Sequence, residues 1–195
     1  RGRGAATVAV ALACLGPLAA GATPPAAADP ARPPTVSVEG RSAVRDVLGH
    51  FDVPVPLSVA WSVLTDYDHI ADFVGSMRAS AVESRGDGEL TVRQEAVAGV
   101  FPFRRVARLL LRVREHPERR IEFHDVLERG FRVYPGEWEL LPGPAGTAVT
   151  YRLRAQPARG FPLGLDRPVL RRAALRLLTQ VRAEMVRRAE VAGGM

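Results

Sequence analysis

Gln94 and Asp125 are the polar residues of this chain whose surroundings raise a chemical question. Each lies in a run that alternates apolar with polar residues, and each falls in phase with the apolar set. Val92 and Ala96 flank Gln94 at two-residue spacing, and Phe123 and Leu127 flank Asp125. In a strand that phase turns a side chain toward the buried face. A buried amide or carboxyl needs a partner, which a ligand head group or a trapped water would supply. A bulge that turns Asp125 outward is the competing reading. Tyr134 and His124 are the titratable residues that could exchange a proton with a bound compound, but no base and donor are recognisably paired. His50, His69, His116 and His124 are scattered without ligand spacing, so no metal is expected. There is no Gly-x-Ser-x-Gly and no phosphate loop, since Gly86 and Gly88 belong to a turn, and no cofactor is expected.

The elements that must position these residues are legible from periodicity. Seven strands are expected, at 44–53, 77–85, 89–98, 104–115, 119–128, 131–141 and 147–156, separated by short Gly- and Pro-containing turns that suit antiparallel hairpins. Ala107, Leu109, Leu111 and Val113 share one face while Arg108, Arg112 and Arg114 share the other; Val149, Tyr151, Leu153 and Ala155 repeat the pattern. Each strand therefore has one buried and one wet face. Two short helical pieces follow the first strand, at 58–64 and 70–74. The chain closes on a long amphipathic helix that starts at Pro168 and runs some 20 residues. Leu170, Ala173, Ala174, Leu177, Leu178, Val181 and Met185 recur at helical spacing, with Arg171, Arg172, Arg176, Arg182 and Arg187 opposite.

An α+β fold follows, in which a curled seven-stranded antiparallel sheet wraps one long C-terminal helix. A sheet curled against a single helix leaves a cavity. Its expected lining is Phe73, Val92, Gln94, Leu109, Leu111, Phe123, Asp125, Phe131, Tyr151, Leu170, Leu177, Leu178 and Val181. Trp61 and Trp138 are expected to be structural.

Several segments resemble a known family. Val-Pro-Leu-Ser-Val-Ala-Trp-Ser-Val-Leu-Thr-Asp-Tyr-Asp at 55–68 is similar to the first helical region of the polyketide cyclase/dehydrase and START-like (SRPBCC) superfamily, and most similar to its coenzyme Q-binding branch. Phe73-Val-x-Ser-Met77, Gln94, Phe131-x-x-Tyr134-x-Gly136-x-Trp138 and Gly146-Thr147 also fit. The resemblance spans about 44–190 and implies a helix-grip fold whose members hold lipids, quinones, sterols, polyketides or hormones, some of them as cyclases or aromatases. Fold alone does not select among these. The expectation is binding or transfer of a hydrophobic, lipid- or quinone-like small molecule by a monomer. The alternative is a cyclase or dehydrase, which needs a proton acceptor beside a carbonyl and a donor to hold the enolate. A third reading is an interaction module whose cavity is filled by its own side chains.

Charge adds little to this. The formal net charge is +6, yet all 27 basic residues are arginine, with no Lys and no Asn. G/C-rich codon usage explains that bias, and the arginines form no dense run, so nucleic acid is not an expected partner. Arg1 and Arg3 precede an apolar stretch at 5–15, Gly16-Pro17 and small residues, the plan of a secretory signal peptide over 1–28, with small-x-small sites ending at Ala22 and Ala28. The stretch is shorter than the ~20 residues that span a bilayer. Cys14 is the single cysteine, and Ala11 stands where a lipid-attachment signal has Leu. A Pro- and Ala-rich linker is expected at 29–35 and the folded domain at 36–192, in an exported protein, periplasmic or secreted.

Two connections break the rule that turns are polar. Val97 to Phe103 and Phe161 to Leu165 are apolar and flanked by Arg104, Arg105, Arg159 and Arg167. Val100, Phe101, Phe103, Phe161 and Leu163 are expected to rim a cavity entrance that touches an anionic membrane surface transiently, each nearby arginine contributing about 1 kcal/mol. Replacing Phe101 and Phe103 together with Ser should weaken co-sedimentation with anionic vesicles and leave the melting temperature nearly unchanged. Equal vesicle binding by variant and parent removes the membrane contact, and a large stability loss makes the loop part of the core.

Overall fold

The computed structural model describes residues 32–40, 43–86, 88–98, 105–158 and 167–194. The expected signal-peptide segment with Cys14, the start of the expected 29–35 linker, and the expected entrance residues Val100, Phe101, Phe103, Phe161 and Leu163 lie outside the described residues.

Nine strands and three α-helices are described. β1 (Thr35–Glu39) and β2 (Arg45–Val53) lead into α1 (Leu57–Leu64), a 3-10 turn (Tyr67–His69) and α2 (Ile70–Phe73). There follow β3 (Met77–Gly86), β4 (Glu89–Ala98), β5 (Arg105–His116), β6 (Arg120–Asp125), β7 (Phe131–Val133), β8 (Pro135–Gly143), β9 (Gly146–Pro157) and α3 (Arg167–Gly193). The sheet is antiparallel, in the order β1-β2-β9-β8-β6-β5-β4-β3, with β7 also on β9. This is the expected helix-grip architecture with two more strands. β1 was not among the expected strands, although Thr-Val-Ser-Val-Glu alternates and Val36 is buried. The expected strand at 131–141 divides into β7 and β8 beside Pro135, which has no N–H to give to a ladder.

α3 is the longest element, 27 residues or roughly 40 Å at 1.5 Å per residue. Ala174, Leu178, Val181 and Met185 are its buried apolar stripe. Leu178 is fully buried, and its tip lies where a Cβ on Gly49 of β2 would come within 2.4 Å. Helix and strand therefore approach as closely as a glycine permits. The arginines of α3 reach carbonyls on the covered strands: Arg171 Nε donates to Val36 O at 3.1 Å and Arg182 Nε to Asp52 O at 2.9 Å.

Beside the end of β2, Gly146 opens β9 with φ +137°, and a Cβ there would sit 2.3 Å from Val53 O. The adjacent Thr147 donates its hydroxyl to Val55 O at 2.9 Å. That pair fixes the exit of β2 into α1. The outer face of the sheet carries the charges as cross-strand pairs, among them Arg108–Glu95 at 2.8 Å, Arg114–Glu89 at 2.6 Å and Arg152–Glu137 at 2.6 Å. Such exposed pairs are each worth little to stability, about 0–1 kcal/mol.

Because Leu178 seals α3 onto Gly49, Leu178→Asp should cost about 3 kcal/mol or more by burying an unpaired carboxylate. Urea unfolding measures it; an unchanged midpoint shows that α3 does not cover the sheet.

Candidate functional site

α3 covers β1 and β2, while α1, the 3-10 turn and α2 lie against α3, β3, β8 and β9. Between the two covers and the inner face of the sheet lies a cavity of about 130 Å³. Val63 and Leu64 of α1, Tyr67, and Ile70, Phe73 and Val74 from the α2 region form one wall. Met77, Val92, Gln94, Leu111, Val113, Ile121, Phe123, Tyr134, Trp138 and Tyr151 come from the sheet side, and Leu177 and Val181 from α3. None of these described lining residues is Asp, Glu, His or Arg. A larger hollow of about 770 Å³ lies on the outer sheet face, where Arg114, Arg152, Arg154, Asp46, Glu89 and Glu137 rim it. Its charged side chains already pair with one another, so the inner cavity is the better site for an apolar compound.

Of the residues expected to line the cavity, Phe73, Val92, Gln94, Leu111, Phe123, Tyr151, Leu177 and Val181 are on its wall. Five lie off it. Leu178 points at Gly49, and Leu170 is half-buried in the first turn of α3. Leu109 is buried but stands one step nearer the start of β5 than Leu111. The Phe131 ring packs on Tyr134, with centroids 4.5 Å apart. Asp125 is buried on the inner face opposite Leu111, but its Oδ1 accepts the backbone N–H of Leu110 at 3.0 Å and of Leu127 at 3.2 Å. Its Oδ2 has no partner among the described residues. His124 is exposed on the outer face, which removes it as a proton-transfer residue for this cavity.

Trp138, expected to be structural, is on the wall and packs against Tyr151 with ring centroids 4.5 Å apart. Val113 and Ile121 were readable, since they share phase with Leu111 and Phe123. The helical wall was harder, because short helices give too few turns for a period to declare itself.

The polar groups at the cavity are an amide and three phenols. Gln94 Nε2 donates to Ser80 Oγ at 3.3 Å. The Tyr67 hydroxyl donates to Glu115 Oε1 at 2.9 Å, and burial, with the Glu115 charge behind it, drives that phenol far above its ordinary value. Burial pushes Tyr134 up to about 12, with the Asp125 charge adding to it. Burial, and then Tyr134, raises Tyr151 well above its ordinary value. All three stay protonated at neutral pH.

An ion-pair chain joins the covers. Glu184 of α3, itself buried, accepts Arg187 at 2.6 Å and Arg188 at 2.7 Å. Arg188 continues to Asp66 at 2.8 Å and stands over the Phe73 ring, 5.8 Å from its centroid. Asp66 meets His69 at 2.6 Å. Burial would raise Asp66, but the hydrogen bonds from His69 and Arg188 outweigh it and hold the carboxyl below its usual range. Asp68 Oδ1 accepts Val82 N–H at 2.8 Å and ties the 3-10 turn to β3.

A one-sided antiparallel sheet gripping a long C-terminal helix around an uncharged cavity defines a helix-grip ligand-binding class. The family described as "Polyketide cyclase / dehydrase and lipid transport" matches residues 53–182, and the chain belongs to it. No curated protein matches the sequence. Among solved structures, the Zhui aromatase/cyclase from Streptomyces sp. R1128 is similar, with 24% identity, TM-score 0.66, and coverage of 78% of this chain and 99% of that one. A STAR-related lipid transfer protein from Xanthomonas axonopodis has 14% identity and TM-score 0.55 over 77% of this chain and 98% of its own. Human STARD10 has 10% identity and TM-score 0.63 over 82% and 76%. At these identities the likeness is one of fold.

The ion-pair chain predicts a pH dependence. Hydrogen bonds from Arg187 first, and then Arg188, outweigh burial and hold the Glu184 carboxyl down to about 2, against 4.5 for an ordinary glutamate. A depressed carboxyl contributes stability that is complete above its unfolded value and fades as pH falls through its folded one. Glu184→Gln should therefore flatten the acid limb of stability between pH 4.5 and about 2. Urea melts across that range check it, and parallel curves for parent and variant would remove Glu184 from the account.

Proposed function

We propose that this chain binds, and hands on, an uncharged hydrophobic small molecule of lipid- or quinone-like character in its inner cavity. The observation that carries the reading is the lining itself: apolar and aromatic side chains with a few phenols and one amide, and no charged group among the described lining residues. Such a wall favours an apolar occupant by burial and opposes an ionised one by desolvation. The family's own description, with lipid transport beside cyclase and dehydrase, supports a hydrophobic ligand. A cyclase would need a proton acceptor at the cavity. The phenols are held protonated, and the carboxylates nearest the cavity, Asp125 and Glu115, are not among its described lining residues. Binding is therefore the better supported activity.

About 130 Å³ suits a single ring, close to an engineered cavity of roughly 150 Å³ that binds benzene. Drug-sized ligands take pockets of about 300–1,000 Å³, so a larger occupant has to displace part of the wall. Export and transient membrane contact belong to the same proposal. They rest on the N-terminal residues and on the apolar, arginine-flanked connections of the sequence.

Native mass spectrometry of protein from the exported fraction, followed by organic extraction, tests the reading. The expected result is a chain that starts between Thr23 and Ala31 and carries a copurifying apolar molecule. Only full-length cytoplasmic chain would overturn export. Absence of any extractable ligand, together with failure to take up added apolar compounds, would overturn the binding function.

A further inference from the structure

Two of the three phenols at the cavity are unlike the third. Tyr67 has an acceptor in Glu115, whereas the hydroxyls of Tyr134 and Tyr151 have no hydrogen-bond partner among the described residues. Both line the same space of single-ring size. Their rings are fixed by packing: Tyr151 against Trp138 at 4.5 Å, and Tyr134 against Phe131 at 4.5 Å and Phe123 at 6.4 Å. The strands that carry them add further constraint. Trp138 is the direct cross-strand partner of Tyr151, and Tyr134 immediately precedes Pro135, the residue paired with His124 at the end of the β6–β8 ladder. Neither phenol has an acceptor among the described residues, and both belong to the lining of one small apolar space, so an acceptor placed in that space would satisfy both donors at once.

We propose that Tyr134 and Tyr151 form a two-donor clamp for one uncharged carbonyl oxygen, so that the ligand carries a ketone-type group on an apolar body. The clamp deepens the binding reading and rests on it. A carbonyl oxygen has two lone pairs and can accept both O–H groups, while presenting no hydrogen of its own that would need a partner in an apolar wall. An anionic head group would accept the same bonds. It would, however, enter a cavity without a described cationic lining residue, beside Asp125, whose Oδ2 already lacks a partner. Burial opposes the ionisation of both phenols, with the Asp125 charge adding to it at Tyr134 and Tyr134 adding to it at Tyr151, so each remains a donor across the neutral range. The role is one of specificity, with no bond made or broken.

Acetophenone, α-methylstyrene and benzoate test the clamp on the intact protein. Acetophenone and α-methylstyrene have nearly the same shape and differ in C=O against C=CH2, while benzoate carries a full charge. Calorimetry or tryptophan fluorescence should show acetophenone binding about tenfold tighter than α-methylstyrene, with benzoate weakest; each neutral hydrogen bond is worth roughly two- to tenfold. Tyr134→Phe and Tyr151→Phe should each remove part of that advantage, and the double variant all of it, with α-methylstyrene affinity unchanged. The carbonyl stretch of bound acetophenone should lie at lower frequency in the parent than in the double variant, a readout that a merely structural role would not move. If acetophenone and α-methylstyrene bind the parent equally, the clamp is wrong and the cavity reading stands. If no probe binds, the cavity reading itself falls. The parent series decides both points even where a variant fails to fold.

Discussion

A sheet with one apolar face must be covered along its whole width, and a single helix is too narrow to do it. α3 settles on the β1–β2 side, and the absence of a Cβ at Gly49 lets Leu178 sit down on β2. That contact sets how low the helix lies, and much of the remaining design follows from it. The rest of the sheet is left for α1, the 3-10 turn and α2, which meet it at β3, β8 and β9 and are too short to fill the space beneath them. The cavity is the residue of this division. It opens between two covers anchored at different places, one at Gly49 and the other at the Thr147–Val55 junction.

The same geometry separates the electrostatics into three zones. Arginines of β4, β5 and β9 stand on the outer face paired across strands with carboxylates, where water screens them and each pair contributes little. Inside, phenols and one amide supply polarity without charge. Between these zones lies the seam where Glu184, Arg187, Arg188, Asp66 and His69 meet. A net positive sequence thus surrounds a cavity with no charged residue in its described lining, which is why bulk charge said so little about the ligand.

Strict alternation was the legible part of the sequence. β5 and β9 read correctly residue by residue because each packs one face on the core and wets the other. α3 was equally plain, although Leu178 serves the helix–sheet contact and Leu177 the cavity, a distinction that spacing alone cannot draw. β1 was obscured by the prolines before it, and the division of β7 from β8 depends on Pro135. The phase of Asp125 was right, yet its carboxylate turned out to hold the backbone of Leu110 and Leu127. Hydrogen bonds from a side chain to backbone groups leave no periodic trace, so site residues that work through them are the ones a pattern misses. Tyr134 shows the same limit. It sits at a break between strands, where no alternation says which way a side chain faces.

The size of the cavity bears on which wall yields to a larger occupant. Moving α3 would separate Leu178 from Gly49 and expose the buried stripe of Ala174, Val181 and Met185, a loss of close packing that grows with every methylene uncovered. Moving α2 would expose less, since none of its four residues is fully buried and Ile70 and Phe73 are only partly covered. It would also break the link from Arg188 to Asp66, but Asp66 and Arg188 keep contact with solvent and can rehydrate. The cost of enlarging the space therefore falls unevenly, and the α2 side is the cheaper one to displace. Tyr134 and Tyr151 stand on the opposite, sheet-borne wall, so a head group held there keeps its contacts while the apolar body of the ligand presses against the wall that can move.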